Sequence, residues 1–206
     1  MNDVIPRFEF RTFAPCLGMV DQRLRAMADC AEISESREIY LLGRDGVRDS
    51  NSKLRRGRLE LKRIIERRHD LECWRPAGQW DFPVARDTIR GALWPDATRE
   101  QVTDLPVRVS SRDLLQWVAR PGIPLCRANV WKRRFRFALQ GCRAELDQLL
   151  VNGAAVESVA VESEDAQAVL EVRAALRLED CENQSYPLLL SRILGLTPLP
   201  HEEDYG

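Results

Sequence analysis

Residues 5–13 read Ile-Pro-Arg-Phe-Glu-Phe-Arg-Thr-Phe. The charged residues Arg7, Glu9 and Arg11 of this stretch alternate with Phe8 and Phe10. Successive side chains of a β-strand point to opposite faces of the sheet. The period of two therefore predicts a strand with one charged face and one apolar face.

The same alternation returns in later segments. It is clearest over residues 129–139, where Lys132, Arg134 and Arg136 alternate with Trp131, Phe135 and Phe137. Six further strands are predicted, over residues 36–42, 52–56, 58–65, 68–74, 142–151 and 156–164. Gly57, Gly141 and the pair Asn152-Gly153 mark the turns between them.

Helical spacing of apolar residues is found between groups of strands. It predicts helices over residues 15–29, 165–178 and 186–194, and two helical pieces within residues 85–120. Residues 76–83 are rich in Pro, Gly and Trp, which favours a loop.

Two interpretations of the charged strand faces are open. In the first, they are solvated outer faces of an antiparallel sheet, which is the ordinary arrangement for any single strand. In the second, they line the wet interior of a closed barrel. Repetition favours the barrel, because like charges two residues apart on a strand repel unless water or a counter-charge separates them.

A barrel interior that mixes cations and carboxylates has a definite chemistry. Arginine forks bind phosphate oxygens in pairs, and lysine adds a point charge. Carboxylates beside a phosphate are costly unless a divalent cation lies between them. The mixture therefore favours a site for a metal ion together with a triphosphate.

The order of the segments resembles that of the CYTH or triphosphate tunnel family, over about residues 4–195. The family's ExExK strand is similar to residues 7–11, and its basic hairpin is similar to residues 53–55 and 60–63. Its later K-x-R, Leu-Asp and ExE strands are similar to residues 132–134, 146–147 and 159–162. The resemblance implies an α+β protein with an antiparallel eight-stranded barrel that forms a tunnel, with flanking helices. It is expected as one domain over residues 1–206, with residues 196–206 as a flexible tail.

The resemblance also implies the site residues. Phosphate-binding roles fall on seven basic residues: Arg11, Lys53, Arg55, Lys62, Lys132, Arg134 and Arg136. Roles in holding Mg²⁺ or Mn²⁺ fall on Glu9 and Glu162, with Glu60, Glu145 and Asp147 as weaker candidates. The sequence departs from the family at Arg7 and Ala160, where the family has glutamates that hold the metal. No catalytic residue is assigned.

Three functions follow from these expectations. The resemblance implies a metal-dependent phosphohydrolase that acts on inorganic triphosphate or on a nucleoside or other organic triphosphate. The loss of two carboxylates favours a protein that binds a polyphosphate or nucleotide without cleaving it. The third alternative is an interaction protein whose charged faces are only exposed to solvent. In the first two cases the partner is a small polyanionic ligand.

The composition excludes several other classes. Lys plus Arg is 31 and Asp plus Glu is 32, so a net charge of −1 excludes binding to nucleic acid or membrane through bulk charge. No apolar run approaches the roughly 18 residues of a membrane span. The 6 cysteines are scattered without a CxxC pair, so we expect a cytoplasmic protein. Only His69 and His201 are available to a hydrolase triad, and neither lies in a catalytic motif.

Overall fold

The computed structural model describes residues 5–44, 49–94 and 102–197. Eight long strands are β1 (Arg7–Ala14), β2 (Cys30–Gly43), β3 (Ser50–Arg55), β4 (Arg58–Arg68), β5 (Leu71–Asp81), β8 (Leu125–Leu139), β9 (Cys142–Val151) and β10 (Ala154–Ser163). They form a closed antiparallel barrel in the order β1-β10-β9-β8-β2-β3-β4-β5. A closed barrel has no unpaired edge strand. The fold predicted from the sequence is confirmed.

Five helices flank the barrel: α1 (Gly18–Met27), α2 (Arg86–Leu93), α3 (Ser111–Val118), α4 (Ala166–Ala175) and α5 (Tyr186–Ile193). The short strands β6 (Val84–Ala85) and β7 (Arg108–Val109) pair with each other outside the barrel. The helical pieces predicted within residues 85–120 correspond to α2 and α3. Residues 95–101 between them and the predicted tail from residue 198 onwards lie outside the described residues.

Tight turns connect the hairpins. Both residues of the Asn152-Gly153 turn have positive φ, at 48° and 97°, as do Gln140 and Gly141 at 49° and 77°. Two-residue turns of this kind match the right-handed twist of the strands that they join. These turns place β8, β9 and β10 side by side, with Arg134 opposite Asp147 and Glu145 opposite Ala160.

The chain divides into two compact units. The first contains the described residues within 1–38, 62–76 and 129–185, and the second contains those within 39–61, 77–128 and 186–206. In the first unit, the apolar strand faces pack beneath α1 and α4. Their core includes Phe10, Leu146, Val161, Leu24 and Val172.

The second unit has a separate apolar core. Leu54, Leu59 and Leu61 from the strands pack with Ile89 of α2 and Trp117 of α3. The helix α3 begins with a capping box, in which the side chains of Ser110 and Asp113 each accept from the other residue's backbone N–H.

Two predicted strands and one predicted loop have different bounds in the structure. Strand β2 begins at Cys30, whereas the sequence predicts a start at residue 36. The prediction missed the first half of the strand because that half is mostly exposed and lacks a regular apolar alternation. The strand predicted over residues 68–74 starts at Leu71, because His69 and Asp70 form a turn with φ of 50° and 63°.

The loop predicted over residues 76–83 is wrong over most of its length, because β5 continues to Asp81. Gly78 fits this strand because the indole ring of Trp80 covers it and would collide with any side chain there. Among the described residues, no helix has the length and apolar character needed to cross a bilayer.

Candidate functional site

The charged residues of the first unit lie on the strand faces opposite its apolar core. Phe8 and Phe10 of β1 pack in the core beneath the helices, so Glu9 and Arg11 point to the barrel interior. The same alternation on β9 directs Leu146 to the core and Asp147 to the interior. The interior faces of β1, β8, β9 and β10 together carry Glu9, Arg11, Lys132, Arg134, Arg136, Glu145, Asp147 and Glu162.

The strand register brings these residues next to one another. Glu9 of β1 lies opposite Glu162 of β10. Arg134 and Arg136 of β8 lie opposite Asp147 and Glu145 of β9. The predicted phosphate-binding and metal-binding residues of the first unit therefore share one interior surface.

Arg11 is the centre of the interior network. Its Nε donates to Oε1 of Glu9 at 2.7 Å, and its Nη1 donates to Oδ2 of Asp147 at 3.2 Å and to Oγ of Ser158 at 2.9 Å. Its Nη2 donates to Oε2 of Glu145 at 3.4 Å. The guanidinium is thus held by three carboxylates and a hydroxyl while being only 5% exposed.

The other interior cations are also paired with carboxylates. Lys132 is 2% exposed, and its Nζ lies 3.7 Å from Glu38 and 3.9 Å from Asp147. Arg134 contacts Asp147 through Nε at 2.9 Å and Glu145 through Nη1 at 3.0 Å. Since a buried charge without a partner is costly, these pairings are needed for the fold.

Arg136 has a more exposed position. It forms ion pairs with Glu145 at 3.5 Å and with Glu32, and its side chain is 40% exposed.

The surroundings of the interior carboxyl groups shift their pKa values in different directions. Burial alone would raise the pKa of Asp147, but Lys132, Arg134 and Arg11 outweigh it and hold that pKa well below the usual range. Burial also opposes ionisation of Glu9, but Arg11 and Lys62 lower its pKa. Glu162 behaves in the opposite way, because burial and the negative charges of Glu9 and Glu145 raise its pKa.

A cavity of about 460 Å³ lies next to this network in the first unit. Three cations line it, namely Arg7, Lys62 and Arg143, together with the carboxylates Glu9, Glu162 and Glu164. Trp74 forms part of its wall. Glu9 belongs to both features, since it lines the cavity and accepts from Arg11 at 2.7 Å. The volume is in the range of small-molecule sites.

The carboxylates beside the cavity fit one kind of metal site. No cluster of three or more His, Cys, Asp or Glu side chains able to hold an ion is found among the described residues. Glu9 and Glu162 nevertheless lie opposite each other beside the cavity. Magnesium is commonly bound by one or two carboxylates together with phosphate oxygens and water. The pair fits an ion that shares its ligands with a phosphate, and does not fit an ion enclosed by protein alone.

Three of the predicted site residues lie in the second unit. The side chain of Arg55 donates to Oε1 of Glu60 through Nε at 3.1 Å and Nη2 at 3.0 Å. The Nζ of Lys53 lies 5.5 Å from the ring centroid of Tyr40, which stacks on Tyr186 at 5.3 Å.

Sequence reasoning missed three residues of the site. Arg143 was not selected, although its position on β9 two residues before Glu145 places it on the same face. Arg7 is not among the predicted phosphate-binding residues, yet it lines the cavity. Glu38 shows no signal in the sequence, because its role depends on contact with Lys132 of β8, which neighbours β2 in the barrel but lies far away along the chain.

The closed eight-stranded barrel and its charged interior define the CYTH-like, triphosphate tunnel type of fold. Comparison with solved structures confirms the predicted resemblance at the level of the fold. No protein-family model matches the chain, and neither does any curated protein sequence.

Three solved structures illustrate the likeness. A conserved hypothetical protein from Pyrococcus furiosus is 16% identical, with a TM-score of 0.54 over 89% of this chain and 99% of that one. The protein HpAC1 from Hippeastrum, described as having a dominant triphosphatase activity, is 14% identical, with a TM-score of 0.51 over 95% and 99% of the two chains. A protein from Bacillus halodurans described as a candidate adenylate cyclase is 11% identical, with a TM-score of 0.51 over 89% and 97%.

Proposed function

We propose that this protein binds the triphosphate group of a small molecule in the cavity of the first unit and hydrolyses it with a divalent cation. The observation that carries the proposal is the composition of the cavity. It combines the cations Arg7, Lys62 and Arg143 with the carboxylate pair Glu9 and Glu162. A triphosphate with its metal ion needs both kinds of group.

The cations of the cavity would hold the phosphate chain. The guanidinium groups of Arg7 and Arg143 donate in a fork that matches two phosphate oxygens, and Lys62 adds a point charge. Because the cavity is partly enclosed, these interactions are screened less than they would be on an open surface. The triphosphatase activity described for the similar Hippeastrum protein agrees with this ligand class.

Glu9 and Glu162 would hold Mg²⁺ or Mn²⁺ together with phosphate oxygens. Such an ion neutralises charge on the phosphates and lowers the pKa of a bound water. Glu162 is suited to this role because burial and the charges of Glu9 and Glu145 raise its pKa and so destabilise its ionised form, which a nearby cation would stabilise. Glu9 is oriented by the hydrogen bond from Arg11.

The test is phosphate release from tripolyphosphate and from ATP, with Mg²⁺, with Mn²⁺ and with EDTA. We expect release that requires the metal and that falls strongly in Glu162→Gln. The matched control is Glu171→Gln, which removes the same charge from an exposed position on α4. Metal-dependent release that is equal in all three proteins would contradict the assignment of Glu162.

A second function, binding without hydrolysis, is favoured by a specific observation. Arg7 lines the cavity where the family resemblance implies a metal-binding glutamate, and Ala160 replaces another. A guanidinium beside the phosphates can replace part of the charge of a metal ion. For this function, tripolyphosphate would raise the melting temperature without any release of phosphate under any metal condition.

The compartment that we propose is the cytoplasm. All 6 cysteines are unpaired, which is the usual state in a reducing compartment.

A further inference from the structure

The basic residues of the first unit form two groups that differ in their partners. Arg11, Lys132 and Arg134 are mostly buried, and each contacts at least two carboxylates. Lys62 and Arg143 line the cavity and make no hydrogen bond or ion pair with any described residue. Arg7, the third cation of the cavity, has only a 3.9 Å contact with Glu164.

From this contrast we infer that the phosphate chain is anchored by Lys62, Arg143 and Arg7, while Arg11, Lys132 and Arg134 hold the strands of the barrel together. The inference rests on the proposed binding of a triphosphate and specifies where it is bound. It also differs from the family resemblance, which gives Arg11, Lys132 and Arg134 the same phosphate-binding role as Lys62 and gives no such role to Arg143.

The interior network resists an entering phosphate. To reach Arg11 or Arg134, a phosphate would have to displace the carboxylate of Asp147 or Glu145 from a buried ion pair. The displaced carboxylate would remain buried without a partner, which is strongly unfavourable.

The cavity offers the opposite situation. Binding of a phosphate to Lys62 and Arg143 breaks no ion pair among the described residues. Arg143 lies opposite Glu162 in the register of β9 and β10, so an anchored phosphate would be next to the carboxylate pair.

The contact between Glu9 and Arg11 limits how far the ligand enters. Glu9 lines the cavity, and its carboxylate is held by Nε of Arg11 at 2.7 Å. The ion-paired network continues from Arg11 to Asp147 and Arg134. The ligand would therefore bind in the cavity and would not enter the ion-paired network beyond Glu9.

The experiment measures binding of tripolyphosphate by calorimetry at low salt in EDTA, so that no hydrolysis takes place. The variants are Lys62→Gln and Arg143→Gln. The matched control is Arg63→Gln, which removes a charge from the next residue of β4, whose side chain points to the opposite face of the strand. All of these residues are exposed, so the variants should fold, and their melting temperatures verify it.

Loss of one charge-assisted contact to a phosphate typically weakens binding about tenfold or more. We expect this loss in Lys62→Gln and in Arg143→Gln, with Arg63→Gln binding like the wild type. If the wild type binds tripolyphosphate and both cavity variants bind it equally well, the anchoring site is elsewhere and the inference fails while the proposed function stands. If the folded wild type neither binds tripolyphosphate in EDTA nor binds or cleaves it in the presence of Mg²⁺, the proposed function fails and the inference fails with it.

Discussion

Arg11 and Asp147 lie 136 residues apart in sequence and form a buried ion pair, with 3.2 Å between Nη1 of Arg11 and Oδ2 of Asp147. Asp147 is completely buried and also contacts Lys132 and Arg134. One carboxylate on β9 thus links a cation on β1 with two cations on β8. Asp147 therefore connects three strands of the barrel, β1, β8 and β9, through side chains.

The first prediction concerns this carboxylate. Asp147→Asn should lower the free energy of unfolding by about 3–5 kcal/mol, because it removes a buried negative charge that Arg11, Lys132 and Arg134 share. Denaturant unfolding at neutral pH measures the change. In the control Asp21→Asn, which removes an exposed i,i+4 pair with Arg25, the change should stay within about 1 kcal/mol. Equal effects of the two substitutions would show that the interior network does not stabilise the fold.

The second prediction concerns the pH dependence of stability. The pKa of Glu162 is raised in the folded protein by burial and by Glu9, so its contribution to stability is present below its unfolded pKa and is lost as pH rises through its folded pKa. Glu162→Gln should therefore raise the melting temperature at pH 7, without ligand or metal, and the gain should shrink towards pH 4. Glu171→Gln is the exposed control. A gain that grows on acidification would contradict the assignment.

The pKa of Asp147 is shifted in the opposite direction from that of Glu162. Its folded value is lowered by Lys132, Arg134 and Arg11, which outweigh burial, so its contribution is present above the unfolded pKa and is lost as pH falls through the folded value. The wild type should therefore lose stability on acidification below about pH 4, and Asp147→Asn should lose less over the same interval.

A third prediction tests the two departures from the family. Arg7→Glu combined with Ala160→Glu should strengthen Mn²⁺-dependent phosphate release at saturating tripolyphosphate, because two hard oxygen ligands are added near Glu9 and Glu162. The loss of Arg7 as a phosphate anchor should at the same time raise the concentration of tripolyphosphate that is needed for saturation. Each single substitution should do less, since carboxylates that share one ion act together. Ala160 is 1% exposed and lies opposite Arg11 and Glu145 in the register, so the melting temperature of each variant must be compared as well. Strong release in the wild type that either substitution reduces would mean that the metal assignment is wrong.

The fourth prediction concerns the support of β1. Arg173 of α4 donates to the backbone oxygens of Leu178, Glu179 and Cys181 at 2.8–3.0 Å, and its guanidinium lies 4.2 Å from the ring centroid of Phe10. Lysine lacks the planar guanidinium that donates to these three carbonyl oxygens. Arg173→Lys should therefore lower the free energy of unfolding by about 2–3 kcal/mol. The control is Arg177→Lys, at an exposed position. An equal loss of unfolding free energy in the control would contradict the role given to Arg173.

Much of the fold could be predicted from the sequence, because the alternation of side chains identifies both the strands and their two faces. The face of β1 that carries Glu9 and Arg11 is an example. Periodicity does not identify the residue on the neighbouring strand. That Arg134 lies opposite Asp147 depends on the turn at Gln140-Gly141, whose length sets the register.

The wrong prediction of a loop in part of β5 has another cause. Pro76 suggests a break, because it cannot donate to a sheet ladder. The pairing of β1 with β5 involves only residues 72–74 of β5, so Pro76 lies beyond it. Arg143 was missed because one arginine among 31 basic residues has no local signature, and only its place beside Glu162 distinguishes it.

The pairing between β1 and β5 has a consequence for how the barrel opens. Among the described residues it involves three pairs, Arg7 with Trp74, Phe8 with Cys73 and Glu9 with Glu72, whereas β1 pairs with β10 over seven. A short seam of this kind separates at a lower free energy than the whole fold, so its amide hydrogens should exchange with deuterium early. Three residues of the seam, Arg7, Glu9 and Trp74, also line the cavity. A ligand bound there would contact both β1 and β5 and would stabilise their pairing. Binding would therefore slow amide exchange at residues 7–9 and 72–74, while exchange in the rest of the barrel would stay the same.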